Sequence, residues 1–334
     1  MEFKAYLSRN AKRMDKLVVE YFNRDSNPDI MRYLYQPLAT YTSNGGKRHR
    51  PLICELACQA VGGDPECSRS PAAAIEYFHT AALIHDDIAD RAELRRGQPA
   101  LHKVLGEGLA INSGDLALSQ VTGVVLKDQQ LADAVKLRVL KELVAMTEKT
   151  IEGQAMDIGW SRDGRFDVTI DDYLVMATHK TAFYSGGVPL AVGAIVGGGS
   201  EAEVEALRDY GIATGLAFQI QDDLLNLIGK QESTKKDFRS DITEGKRTLI
   251  TVHALQHSSR ADELVGILTE HTDDPTVLAR AVELLLEAGS LDYAHHYAIG
   301  LVHEAQGKMR GLIPQSIHRD LLLSMADFFV ERMS

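Results

Sequence analysis

The stretch His85-Asp86-Asp87-Ile88-Ala89-Asp90-Arg91-Ala92-Glu93-Leu94-Arg95-Arg96-Gly97 places three carboxylates within one helical turn and follows them with two adjacent arginines. On a helix Asp86 and Asp90, four positions apart, project from the same side, with Asp87 beside them. Charges of one sign packed so closely repel each other unless a cation compensates. A second group, Asp222-Asp223-Leu224-Leu225-Asn226, repeats the spacing with Asn in the last place. Hard carboxylate oxygens in pairs suit Mg2+, which takes oxygen ligands together with substrate phosphates. A lone acidic cluster reads better as a solvated helix end. The runs leading into these two, Tyr77 to Ile84 and Tyr210 to Ile220, are mostly apolar on every face and so read as buried helices. Acids at the ends of buried helices sit where burial is costly unless ions pair with them. Two such helices facing each other would hold several Mg2+ ions with a diphosphate between them.

The rest of the chain supports a helical reading. In 334 residues there are only 9 prolines, and 45% of the sequence is hydrophobic, enough for a substantial core. No segment alternates with period two between turn signals, so sheets are not expected. Helices are expected over 3–22, 30–41, 50–61, 71–90, 107–127, 129–157, 169–198 and 201–228, then a polar loop from Gly229 to Gly245. Leu291, Ala294, Ala298, Val302, Ala305 and Met309 keep a helical period, and Asp320 to Arg332 closes the chain. The expected fold is one all-α domain over 1–334. A net charge of −11 and a pI near 5.6 make nucleic acid a poor partner. Cys54, Cys58 and Cys67 lack a fourth zinc ligand and read as reduced thiols of a cytoplasmic protein. The N-terminus lacks the apolar core of a signal peptide. The most apolar stretch, Gly186 to Gly199, is too short to span a bilayer, so no stable membrane insertion is expected.

Cations cluster despite the acidic balance. Gly45-Gly46-Lys47-Arg48-His49-Arg50-Pro51 sets a glycine turn before a helix start, where backbone amides and the helix dipole favour a phosphate. Arg95 and Arg96 offer guanidinium forks suited to phosphate oxygens, or neutralise the neighbouring aspartates. Lys180, followed by Thr181 in an apolar run, needs an anion or a path to solvent. Lys236, Lys246 and Arg247 lie among Asp237, Asp241 and Glu244, as salt bridges of a solvated loop would.

Taken in order, these residues resemble the trans-prenyl diphosphate synthases, the enzymes that elongate isoprenoid chains. The resemblance rests on Gly45 to Pro51, Asp86 to Asp90 with Arg95-Arg96-Gly97, Gly153-Gln154-Ala155-Met156-Asp157, Lys180-Thr181, Phe218 to Asp223, and Asp241-Ile242-Thr243-Glu244-Gly245-Lys246. Six motifs in the family's order span positions 45 to 246. Within the family the chain looks most like the geranylgeranyl diphosphate synthases. The resemblance implies a bundle of long, mostly antiparallel helices around a deep central cavity, assembled as a homodimer. It implies that Asp86, Asp90 and Asp222 hold Mg2+, with Asp87 and Asp223 in support. Arg95, Lys180 with Thr181, Gln219, Lys236 and Lys246 would grip an allylic diphosphate. Gly46, Lys47, Arg50, His79 and Arg96 would grip isopentenyl diphosphate. Asn226 departs from the family, where many members carry a third Asp, and is not counted as a metal ligand. A class I terpene cyclase would not need the second phosphate grip of Lys47, Arg50 and Arg96. A non-catalytic partner subunit would have lost the acids.

Product length is read from the helix leading into Asp86. Ala82 and Ala81 lie four and five residues before it, about one turn or ~5–7 Å deeper, and Phe78 lies about two turns deeper at ~12 Å. Small residues at 81 and 82 leave room where shorter-product members place an aromatic ring. Phe78 either packs into the helix bundle away from the cavity or forms its floor; as the floor, together with Asn226, it favours a twenty-carbon product over farnesyl or longer chains.

Overall fold

The computed structural model describes residues 2–22, 26–229 and 239–330. Two of the expected helices appear with their expected ends, Phe3–Phe22 and Glu201–Ile228. Others shift by one to five residues at an end: His49–Ala60, Arg69–Ala89, Glu107–Leu126 and Asp133–Arg162. The tail forms Ser290–Leu312 and Ile317–Val330.

Two expected helices turn out to be composite. The region predicted over 30–41 starts at Pro28, with Asn27 accepting the Asp29 amide, passes through a π-helical stretch Met31–Tyr35, and continues as Gln36–Ser43. The region predicted over 169–198 is Ile170–Ala177, a π-helical stretch Thr178–Gly187, and Val188–Val196. Its start is fixed by a capping box, Thr169 with Asp172. π-Helical turns recur at functional sites, and this one contains Lys180.

Among the described residues, three helices of nine residues or more went unread in the sequence, Leu249–His257, Ala261–Glu270 and Pro275–Glu287, as did the short Leu101–Leu105. Start signals were nonetheless present, a Thr248 cap on Leu249–His257 and an Asp274 cap followed by Pro275 on Pro275–Glu287. The expectation of no sheet meets one small exception among the described residues, a hairpin pairing Leu94–Arg95 with Gln98–Pro99. Arg96 and Gly97 turn it with φ of 55° and 77°, the left-handed pair that two-residue hairpins require.

The chain falls into two compact units whose segments alternate along the sequence. The first comprises Met1–Thr147, Val188–Arg208 and Arg310–Met325; the second comprises Glu148–Gly187, Asp209–Met309 and Ala326–Ser334. In the first, Arg69–Ala89 packs along Glu107–Leu126, and Val188–Val196 packs along His49–Ala60. His49–Ala60 is buried on nearly every face. Burial pushes the Cys54 thiol up, and the Cys58 thiol up to about 12, so both stay protonated. Among the described residues, Glu107–Leu126, rather than the glycine-rich stretch, is the helix long and apolar enough in composition to cross a bilayer. It buries Ala110, Ala117, Val121, Val124 and Val125 and carries Glu107 and Asp115.

Candidate active site

In the first unit the acidic motif ends the Arg69–Ala89 helix, so its three aspartates meet different surroundings. Asp90 is exposed and Asp86 half-buried, while Asp87 is fully buried. Asp87 accepts the Tyr41 hydroxyl at 2.8 Å and the Arg95 Nε at 2.7 Å. Arg95 thus enters the site from the hairpin already paired to an acid, with its side chain 19% exposed.

The adjacent arginine turns elsewhere. Arg96 donates to the Gly45 carbonyl, and its guanidinium lies 3.1 Å from where a Cβ on Gly46 would stand. Gly46 also has φ of 144°, so both space and backbone require glycine there. Arg48, which the sequence reading grouped with Lys47 and Arg50, is turned inward. It has a left-handed backbone with φ of 47° and donates to Glu76, to Asp15 at 2.6 Å and to the Thr42 carbonyl. Lys47 is exposed and Arg50 buried on either side of it.

These cations crowd one another. Burial, together with Arg50 and Arg96 nearby, holds the His79 imidazole well below its ordinary pKa, so it is neutral. Burial and the charges of Arg48 and Arg95 also lower the Arg96 guanidinium, which remains charged. Four of the five residues expected to grip one diphosphate, Gly46, Arg50, His79 and Arg96, are therefore tied to one another by contact or field, and Lys47 lies between Gly46 and Arg48 in the same loop. A dianion placed among them would relieve repulsion built into the fold.

The second unit repeats the pattern of one outer and one inner acid. Asp222 is half-buried. Asp223, 7% exposed, accepts from Gln219 Nε2 at 2.7 Å and from the Tyr173 hydroxyl at 3.3 Å. Burial and the carboxylate of Asp241 push its pKa well up.

Lys180 finds its anion within the chain, in Asp157. Gly153 explains the geometry: a Cβ there would collide with the backbone of Lys180, so glycine lets the Asp133–Arg162 helix approach the π-helical stretch closely. Lys246 pairs with Glu244 at 2.6 Å and Asp241 at 3.4 Å. Burial works against its charge, but the two carboxylates more than reverse this and its pKa is raised.

Asn226 has a structural task. Its amide nitrogen donates to Ser240 Oγ at 3.2 Å and its amide oxygen accepts from the Asp241 backbone at 3.3 Å. It thereby ties the end of Glu201–Ile228 to the short helix Ser240–Thr243 inside the expected loop. Thr181 is half-buried beside Lys180, and Lys236 lies outside the described residues. Phe78 and Ala81 are buried and Ala82 half-buried on the Arg69–Ala89 helix.

The sequence reading missed Tyr41, Tyr173, Asp157, Glu76 and Asp15 as partners. Only Asp157 carried a usable signal, since a lysine in an apolar run demands an acid. Among the described residues no three His, Cys, Asp or Glu side chains form a metal-binding group by themselves.

A fold helical but for one hairpin among the described residues, with a crowded cationic cluster in the first unit and an acidic pair in each, has the groups an isoprenoid synthase needs. Residues 31–285 match the family model described as polyprenyl synthetase. A short chain isoprenyl diphosphate synthase of Methanothermobacter thermautotrophicus is 39% identical, with 99% of each chain covered. A geranylfarnesyl diphosphate synthase of Natronomonas pharaonis is 36% identical, with 90% of each covered. The structure of a geranylgeranyl pyrophosphate synthase from Corynebacterium glutamicum, complexed with isoprenyl diphosphate and magnesium, superposes with a TM-score of 0.89 at 26% identity, covering 98% of this chain and 99% of that one. The chain belongs to the polyprenyl synthetase family, and it is a prenyltransferase that elongates isoprenoid diphosphates.

Proposed function

We propose that this prenyltransferase condenses isopentenyl diphosphate with an allylic diphosphate, uses Mg2+, and releases geranylgeranyl diphosphate. The observation that carries the reading is the crowding of Arg50, Arg96 and neutral His79 around the Gly45-Gly46 turn, an arrangement stabilised by a diphosphate. Asp86 and Asp90 are the proposed metal ligands of the first acidic motif, and Asp222 that of the second. When bound, Mg2+ offsets the charge that grows on the departing pyrophosphate.

The chain's own groups do the rest. Arg95, fixed by Asp87, and Lys180, fixed by Asp157, are pre-organised cations for the allylic diphosphate and need little reorganisation as its carbon–oxygen bond breaks. Lys47, Arg50 and Arg96 hold isopentenyl diphosphate so that its double bond attacks the allylic carbon. The departing pyrophosphate accepts the proton lost in the last step.

Incubation with radiolabelled isopentenyl diphosphate, farnesyl diphosphate and Mg2+, followed by chain-length analysis of the extracted product, tests the reading. A twenty-carbon product is expected. Absence of any elongated product, or elongation that persists after metal chelation, would overturn it.

Two further results are expected. Lys47→Ala and Arg50→Ala raise KM for isopentenyl diphosphate more than for the allylic substrate, and Lys180→Ala does the reverse; each lost charge-assisted contact is worth about 1.5–3 kcal/mol. Steady-state kinetics with each substrate varied in turn checks the division. Ala81→Phe shortens the main product to farnesyl diphosphate and Phe78→Ala lengthens it, read by chromatography of the dephosphorylated products.

The protein is proposed to act as a homodimer in the cytoplasm. Leu137, Val144, Ile151 and Ile158, all exposed, recur every seven residues along Asp133–Arg162, and Ile111 and Leu126 are exposed on Glu107–Leu126. An apolar stripe at heptad spacing is the seam a second helix covers. Sedimentation at twice the 36.7 kDa chain mass is the expected reading.

A further inference from the structure

Each acidic pair carries the same device on its inner member. In the first unit, Asp87 receives the Tyr41 hydroxyl on Oδ2 at 2.8 Å and the Arg95 Nε on Oδ1 at 2.7 Å. In the second, Asp223 receives the Tyr173 hydroxyl on Oδ2 at 3.3 Å and the Gln219 amide on Oδ1 at 2.7 Å. The tyrosines are remote in sequence, 46 residues from Asp87 and 50 from Asp223, and both are buried. In each pair one donor, Arg95 or Gln219, comes from the acidic motif's own neighbourhood, and the tyrosine supplies the other.

The pairing has a physical purpose. A carboxylate buried with one oxygen satisfied can swing about its side-chain torsion; with a donor on each oxygen it cannot. Burial raises both phenols above their ordinary range, with the adjacent carboxylates adding to it, so each hydroxyl keeps its proton and stays a donor. Fixing Asp87 fixes the helical turn that carries Asp86 one residue before it and aims Arg95. Fixing Asp223 does the same for Asp222 and Gln219.

We infer that Tyr41 and Tyr173 are positioning residues, each locking the inner aspartate of an acidic pair so that the outer aspartates are presented to metal-bound diphosphate. The identity of that ligand rests on the function proposed above.

The test uses the full-length protein and a binding readout independent of turnover. Tyr41→Phe and Tyr173→Phe each remove one oxygen atom and leave the ring in place. Calorimetric titration with inorganic pyrophosphate in the presence of Mg2+ is expected to show affinity reduced about tenfold or more in each variant, the size of effect that follows loss of a group orienting a metal ligand. Asp87→Asn is expected to weaken binding in the wild-type background and to add less than about twofold in the Tyr41→Phe background, because the two changes break one interaction. Pyrophosphate affinity unchanged in both Phe variants, or effects of Tyr41→Phe and Asp87→Asn that simply multiply, overturns the inference. Should a Phe variant not fold, Asp87→Asn and Asp223→Asn preserve side-chain shape and carry the test, and full retention of pyrophosphate affinity in both overturns it. A wild-type protein that makes no prenyl product while the Phe variants lose pyrophosphate binding overturns the proposed reaction and supports the tyrosine assignment.

Discussion

Asp86→Ala and Asp222→Ala are each expected to reduce turnover about a thousandfold while leaving the circular dichroism of the helices unchanged. Each change removes a proposed Mg2+ ligand that no neighbouring side chain replaces. Loss of one ligand weakens stabilisation of the departing pyrophosphate by several kcal/mol, and about 1.4 kcal/mol is tenfold in rate. Neither aspartate is fully buried, so alanine opens no cavity in the core at either position. Near-normal turnover in both variants, with wild-type dichroism, would remove the acids from the metal site.

The second large effect is on stability. Glu76→Ala is expected to destabilise the protein by about 3 kcal/mol, read as a lower urea midpoint with an unchanged slope. The Arg48 and Glu76 side chains are 1% and 3% exposed. Removing one partner leaves a guanidinium buried without its strongest compensation, a change that typically costs about 3–5 kcal/mol. The low end of that range is chosen because Arg48 keeps Asp15 and the Thr42 carbonyl. The control is Glu304→Ala, which breaks the Lys308 pair with side chains 70% and 68% exposed. Solvent screens such a pair, and no measurable shift is expected. Equal midpoints for the two variants would show that the Arg48–Glu76 pair contributes nothing. Glu76→Ala should also raise KM for isopentenyl diphosphate, because Arg48 holds the loop on which Lys47 and Arg50 stand.

What the sequence revealed and what it concealed follow different physics. Helices were legible because apolar periodicity reports burial of a face, as in Phe3–Phe22 and Glu201–Ile228. The motifs were legible because rare local juxtapositions, such as three aspartates before two arginines, have few structural explanations. Pairings were not legible. Nothing near Tyr41 or Tyr173 announces a carboxylate 46 or 50 residues away, since such contacts are set by how helices cross. Arg48 shows the same limit. Lys47, Arg48 and Arg50 look alike as a string of cations, yet one backbone angle of the wrong sign for an ordinary residue sends the middle one into the core. Between 249 and 287, Leu249–His257 and Ala261–Glu270 are brief for a period to stand out, whereas Pro275–Glu287, 13 residues long and capped by Asp274, carried a legible signal.

The hairpin that follows the first acidic motif separates two neighbours. Arg95 lies in its strand and reaches back eight residues to Asp87, while Arg96 opens its turn and reaches the carbonyl of Gly45. One peptide bond thus splits a pair of identical side chains between two anionic errands. The segment from Asp87 to Arg95 behaves as a measured length of cord: one residue more would carry Arg95 into the turn that Arg96 now opens, and one fewer would draw Arg96 into the strand position from which Arg95 reaches Asp87.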